Sequence, residues 1–177
     1  MNIIVAVDKN WAIGCKGKLL YKLPLDMQFF KKTTINKTVV VGRKTLESFP
    51  NKGPLPNRLN IVLSTKLSKT KHCTSKKKEN LLVIDSLERL DEVTKDLSQN
   101  DIYIIGGETI YKQLLHKSTF AYVTKINTES TCKENLNYFN NLDLNPNWQL
   151  LEESPIVVTN NIEISFCKYK NLNPLKP

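Results

Sequence analysis

The chain holds 177 residues, 40% hydrophobic and 24% charged, enough for one domain with a substantial core. No apolar run approaches the roughly 18 residues of a membrane span, and Met1–Asp8 lacks the basic stretch and cleavage site of a secretion signal, so a cytoplasmic protein with no membrane partner is expected. The formal charge is +9, yet of the 26 cations only Arg43, Arg58 and Arg89 are Arg; nucleic-acid readers lean on Arg forks, which leaves steering of small anions or a plain solvated surface as the better readings.

In chain order, Ile3–Val7 reads as a strand and a helix starts near Pro24, carrying Leu25, Met27, Phe29 and Phe30. Thr38–Val41 is the next strand, and Gly42-Arg43-Lys44-Thr45 follows it into a short helix. Strands Asn60–Leu63 and Leu81–Ile84 flank Lys66–Glu79, a segment with six lysines and no periodicity that reads as a loop. Asp85 and Glu88 form a capping-box pattern ahead of a helix with Leu87, Leu90, Val93 and Leu97 on one face. Strand Ile102–Ile105 runs into Gly106-Gly107 and a helix from Glu108, on which Ile110, Tyr111, Leu114 and Leu115 are apolar; Phe120–Ile126 is again a strand. Trp148–Glu153 and Ile162–Tyr169 read as antiparallel strands joined through Asn160-Asn161, and the tail Asn171–Pro177 has little to bury and is expected to fray. Several strands are almost wholly apolar, as in a parallel sheet covered on both faces. The expected architecture is therefore α/β: one domain over residues 1–170, a mostly parallel central sheet with an antiparallel C-terminal edge, flanked by helices.

The four cysteines, Cys15, Cys73, Cys132 and Cys167, include no CxxC pair, so neither a disulfide framework nor a zinc site is expected, and no metal is assigned. The two histidines, His72 and His116, give little support to a triad.

Two groups of residues carry chemistry. A helix N-terminus presents free N–H groups, so Gly42-Arg43-Lys44-Thr45 suits a phosphate, though a solvated helix start is the plain alternative. Ile105-Gly106-Gly107-Glu108-Thr109 repeats the strand, glycine, helix arrangement, and two such ends in one sheet fit a pyrophosphate; the GxGxxG fingerprint is absent. Asp26 in the first turn of its helix is either a helix-dipole partner or a functional acid. Phe30 is four residues on, with Met27 and Phe29 adding apolar bulk, and a carboxylate so walled has its charged form disfavoured.

These segments, in their order and spacing, resemble the dihydrofolate reductase family over roughly Asn2 to Tyr169. The likeness rests on Ile3-Ile4-Val5-Ala6-Val7-Asp8, Ile13-Gly14, Leu23-Pro24-Leu25-Asp26, Phe30-Lys31, Val41 through Ser48, Pro54-Leu55-Pro56-Asn57-Arg58, Asn60 through Ser64, Ile105 through Glu108 and Tyr122 through Ile126. The resemblance implies a hydride transfer from NADPH to 7,8-dihydrofolate, giving tetrahydrofolate for one-carbon metabolism, by a monomer that also takes antifolate inhibitors such as trimethoprim. It implies that Asp26 holds the pterin, with Thr124 behind it, and that Ile4, Val5, Ala6, Leu19, Met27, Phe30, Phe49, Leu55 and Ile105 line that pocket. Arg58 would pair with the glutamate-tail carboxylate. Ala6, Ile13, Gly14 and a mobile loop through Leu19 would meet the nicotinamide. Gly42, Arg43, Lys44, Thr45, Leu63, Ser64, Thr65 and Lys66 would surround the adenosine phosphates. Ile105 through Tyr111, with Gly106, Gly107, Glu108, Thr109 and Ile110, would meet the pyrophosphate. The family joins the glycines matching Gly106 and Gly107 by a cis peptide.

Two departures stand out. Leu20-Tyr21 replaces the family's Pro-Trp, so either the Tyr21 hydroxyl takes over the ordering of water near Asp26 or the network differs, with ordinary packing on the approach to the helix as the plain alternative. Asn135–Asn140 replaces an acidic-Thr-x-Phe-Pro segment, with only Phe139 as a counterpart. Two other functions compete: an NADPH-dependent pyrimidine reductase of riboflavin synthesis, which shares this architecture, and a polyanion binder using Lys66–Lys78. Asp26, Phe30 and Arg58 together favour folate over the first, and the missing aromatics count against the second.

Overall fold

The computed structural model describes residues 1–49, 53–66 and 80–175. Its strands are β1 (Asn2–Val7), β2 (Ala12–Cys15), β3 (Lys18–Leu19), β4 (Thr38–Gly42), β5 (Leu59–Leu63), β6 (Leu81–Ile84), β7 (Ile102–Ile104), β8 (Phe120–Ile126), β9 (Leu136–Tyr138), β10 (Trp148–Glu153), β11 (Val157–Thr159) and β12 (Ile162–Asn171). The helices are α1 (Pro24–Thr34), α2 (Arg43–Ser48), α3 (Leu87–Thr94) and α4 (Glu108–Leu114).

The main sheet runs β10-β12-β8-β1-β7-β4-β5-β6, with β11 on β12. From β8 to β6 every pairing is parallel, while β12 and β10 close the edge antiparallel. Alternation along β4 shows why its sequence is a run of valines. Val40 enters one core layer with Ile3, Val5, Ile61, Ile104, Leu114 and Leu90 of α3. Val39 and Val41 enter the other, with Ile4, Val62, Ile105 and Leu46 of α2, against which Phe29 and Phe30 of α1 pack. Both faces are dry, so both side-chain parities must be apolar.

Differences from the sequence reading are local. The N-cap of α3 is Ser86, whose hydroxyl accepts from the Arg89 amide at 3.2 Å, rather than Asp85. The Asn160-Asn161 turn, with both residues at positive φ, joins β12 to the short strand β11 instead of to β10; asparagine tolerates that conformation at little cost. β12 extends to Asn171, which is buried and donates to the Ser118 carbonyl at 2.9 Å. Beyond it, the Leu172 and Leu175 amides donate to the carbonyls of Asn147 and His116. The expected loop around Gly14 is a hairpin, β2–β3, which pairs with β9 in a separate antiparallel sheet, β3-β2-β9. Its two turn residues, Lys16 and Gly17, both have positive φ, as a tight two-residue hairpin requires. Residues 67–79, most of the lysine-rich segment, lie outside the described residues, as does Cys73.

Contrary to the expectation from cysteine spacing, Cys15 and Cys132 form a disulfide across 117 residues of sequence. Spacing says nothing about it, because the two meet only when β9 docks on β2.

Candidate active site

The strand ends on one side of the sheet open into a cavity of about 610 Å³, within the usual range of ligand pockets. At one end it is walled by Val5, Ala6, Ile105 and the hairpin residues Ile13, Gly14 and Leu19; at the other by Leu63, Ser64, Thr65 and Lys66. Between them lie Gly42, Arg43, Lys44 and Thr45 from the start of α2, and Gly107, Glu108, Thr109, Ile110 and Tyr111 from the start of α4.

The two glycine-bearing ends meet because β4 and β7 are hydrogen-bonded neighbours. The Gly42 amide donates to the Gly106 carbonyl at 2.7 Å. Gly106 has φ +108, and a Cβ there would come within 3.0 Å of the Tyr111 ring. A Cβ on Gly107 would meet the Thr45 hydroxyl at 2.9 Å. The Gly106–Gly107 peptide is cis, as the family resemblance implied. The cavity floor thus brings backbone, two short helix starts and basic residues together, a combination suited to an extended phosphate-bearing molecule.

Some charged residues expected at the cofactor are engaged within the protein. Arg43 makes two hydrogen bonds of 2.7 Å to the Glu47 carboxylate one turn on. Glu108 accepts from Lys112 at 2.7 Å and from Asn137 at 2.6 Å, which holds its carboxyl below the usual range. The second bond ties the start of α4 to β9. Lys44 and Lys66 are exposed at the cavity.

Asp26 sits in the first turn of α1, half-buried. Burial pushes its carboxyl above the ordinary aspartate value, while the hydroxyl of Thr124, on β8, works the other way. Asp26 is close enough to Tyr111 to push the phenol's pKa further up, on top of the effect of complete burial. Tyr111 in turn donates to the Ile4 carbonyl at 2.8 Å. The acid therefore stands beside β1, at the nicotinamide end expected for the cavity.

Next to it, Phe30, Phe49 and Leu55 pack on the layer formed by Ile4 and Ile105. Met27 does not join them; it is 45% exposed. It follows Asp26 directly, and successive helix residues point about 100° apart. Arg58 is buried, its Nε donating to Thr34 at 2.9 Å and Nη1 to the Pro56 carbonyl at 2.7 Å, with its guanidinium 5.9 Å from the Phe30 centroid. Among the described residues it forms no ion pair, and burial lowers its pKa. A buried guanidinium held by neutral partners is an invitation to an anion.

Tyr21 takes a different place from the other expected residues. Its ring packs on Leu23, Ile126 and Ile164, and its hydroxyl is set by Thr128, near Asp8 and Glu129. Residues the sequence did not single out are also present. Gly17, Lys18, Ser48, Ser86, Gln113 and Asn137 line the cavity. Asp8 organises the hairpin, accepting from the amides of Asn10 and Ala12 at 2.9 Å and of Ser130 at 3.0 Å. An acidic residue closing a strand is a recognisable turn signal for the first two bonds; the third is non-local.

Comparison with known proteins agrees with this geometry. The chain is 35% identical over 151 residues to a dihydrofolate reductase of Buchnera aphidicola, covering 85% of each chain. It is 37% identical over 128 residues to the Haemophilus influenzae enzyme of that name, covering 72% of each. The structure matches a dihydrofolate reductase from Enterococcus faecalis, complexed with NADP(H) and RAB-propyl, with a TM-score of 0.78 and 28% identity over 96% of this chain and 95% of that one. Since the family model for dihydrofolate reductase also matches residues 1–171, on top of a half-buried acid beside a glycine-floored cavity, the chain belongs to the dihydrofolate reductase family.

Proposed function

We propose that the protein reduces 7,8-dihydrofolate to tetrahydrofolate with NADPH. The observation that carries this reading is Asp26: a desolvated carboxyl backed by Thr124 and close to Tyr111, one of the residues that line a cavity suited to a dinucleotide. The residues fit the cofactor: apolar Val5, Ala6 and Ile13 suit the nicotinamide, the glycine floor suits the pyrophosphate, and Lys44 and Lys66 suit a 2′-phosphate. When bound, NADPH supplies the hydride.

The chain's own residues do the rest. Asp26 accepts hydrogen bonds from the pyrimidine edge of the pterin, and its burial, which raises its pKa, makes it a better proton holder than an exposed aspartate. Phe30, Phe49 and Leu55 hold the ring system flat against Ile4 and Ile105. Arg58 offers its fork to the glutamate-tail carboxylate. The β2–β3 hairpin covers the nicotinamide end and excludes bulk water. No helix among the described residues is long and apolar enough to cross a membrane; the site of action in this reading is the cytoplasm. Monomeric behaviour and inhibition by antifolates complete the proposal.

The test is NADPH consumption followed in the ultraviolet with dihydrofolate, beside the pyrimidine substrate of the riboflavin-pathway reductases. Turnover confined to dihydrofolate supports the reading; turnover confined to the pyrimidine, or none from a folded sample, overturns it.

A further inference from the structure

The Cys15–Cys132 disulfide has no part in the reaction above, yet it lies against its machinery. Cys15 is the last residue of β2, directly before the Lys16-Gly17 turn, and the same hairpin lines the cavity through Ile13, Gly14 and Leu19. Cys132 belongs to the segment that leads into β9. Their Cα atoms are 6.6 Å apart. The bond therefore fastens the hairpin to its backing strand at the hairpin's outer end.

Three features distinguish this pair from a stabilising staple. Both cysteines are half-exposed at the rim, whereas the core of this 177-residue chain is built on a sheet buried on both faces, which needs no cross-link. The Glu134 carbonyl lies 3.5 Å from the Cys15 Sγ and 3.2 Å from the Cys132 Sγ, so a hydrogen-bond acceptor stands beside both sulfurs when the pair is reduced. The reduced hairpin also keeps other attachments: the β2–β9 pairing, the Lys16 amide on the Asn135 carbonyl, and the Glu108–Asn137 bond. Both redox states are thus compatible with the fold, and they differ in how firmly the hairpin is held. Cys167, by contrast, is buried, and its thiol is pushed up to about 11.

We propose that Cys15 and Cys132 are a reversible thiol–disulfide site, oxidised by a low-molecular-weight disulfide and reduced by a dithiol, that controls how readily the β2–β3 hairpin leaves the cofactor cleft. In the oxidising direction one thiolate attacks a sulfur of the small disulfide, forming a mixed disulfide and expelling one small thiolate. The second cysteine thiolate attacks the protein sulfur of that mixed disulfide, closes Cys15–Cys132 and expels the other. Two protein thiols become one disulfide, one small disulfide becomes two small thiols, and the two protons leave on them. The control it exerts rests on the reading of the cavity as the NADPH site: cofactor escape needs the hairpin to open, and the cross-link restrains that opening.

The experiment uses the full chain with Cys73→Ser, equilibrated with glutathione disulfide or with dithiothreitol. Alkylation and peptide mass mapping locate free thiols, and stopped-flow fluorescence gives the NADPH dissociation rate. Oxidised protein should lose the labels at positions 15 and 132 and release NADPH at least about five-fold more slowly than reduced protein. Cys132→Ser should release it at the reduced rate under both conditions. Thiols 15 and 132 that stay free in excess glutathione disulfide, or equal release rates in the two states, would overturn the proposal. Failure of NADPH to bind in either state would instead overturn the cofactor reading and remove the switch's target, while the thiol map still decides whether the pair is a redox site.

Discussion

Replacing Asp26 with Asn separates what the acid does for catalysis from what it does to the fold. The side chain keeps its size and one acceptor oxygen, but an NH₂ group replaces the second, facing a donor on the pterin edge. One charge-assisted hydrogen bond, worth about 1.5–3 kcal/mol, is lost. At 1.36 kcal/mol per tenfold, the upper end of that range lowers kcat/KM for dihydrofolate on the order of 10²-fold. NADPH affinity should be unchanged, because Asp26 is not among the residues that wall the cavity. Stability should move the other way. Burial raises the Asp26 pKa above its value in the unfolded chain, so the folded protein binds this proton more tightly. Its favourable contribution is complete only below the unfolded carboxylate's pKa and is lost as pH rises through the folded value. At neutral pH the ionised group is a cost to the fold, and D26N removes it. The variant should therefore melt at a higher temperature than the wild type at pH 7, with the gap closing as pH falls into the carboxylate range. Steady-state kinetics, NADPH titration and calorimetry at several pH values read all three effects. An unchanged kcat/KM, or a lower melting temperature at pH 7, would refute the assignment of a desolvated catalytic acid.

Arg58→Lys keeps the charge but loses the fork; KM for dihydrofolate should rise roughly 10- to 100-fold, from about 1.5–3 kcal/mol of lost charged hydrogen bonding, with kcat little changed. A pterin substrate without the glutamate tail should not distinguish the two proteins, and if it does, Arg58 does not hold that tail. Tyr111→Phe removes the 2.8 Å bond to the Ile4 carbonyl inside the core. It should cost about 1–3 kcal/mol of stability, read as a fall in denaturation midpoint; a fall below 0.5 kcal/mol would mean that the carbonyl is satisfied elsewhere. Gly106→Ala places a Cβ at 3.0 Å from the Tyr111 ring on a residue with φ +108. The strained backbone should cost roughly 1–3 kcal/mol and weaken NADPH binding, so wild-type values of both would show that the floor gives way easily.

Much of this protein was legible in its sequence because the information is local. The valine run of β4 and the apolar β5 and β7 announce strands buried on both faces, since no other environment accepts both side-chain parities as apolar. Gly42 and Gly106-Gly107 mark strand-to-helix junctions, where a Cβ would crowd the side chains of Ile110, Tyr111 and Thr45 and, at Gly106, would also sit on a residue of positive φ. Pro24-Leu25-Asp26 marks a helix start with an acid in its first turn. What only the tertiary structure decided was which distant segments meet. β2, β3 and β9 are two to four residues long, too short to show a period, and they form because they pair with one another. Asp8 reaching Ser130, Glu108 reaching Asn137 and Cys15 reaching Cys132 span 122, 29 and 117 residues. Tyr21 turns to Thr128 and Met27 to solvent for reasons set by neighbours far along the chain. A side chain's type fixes what it is able to bond, but its partner is chosen by the packing of the sheet, and that choice is non-local.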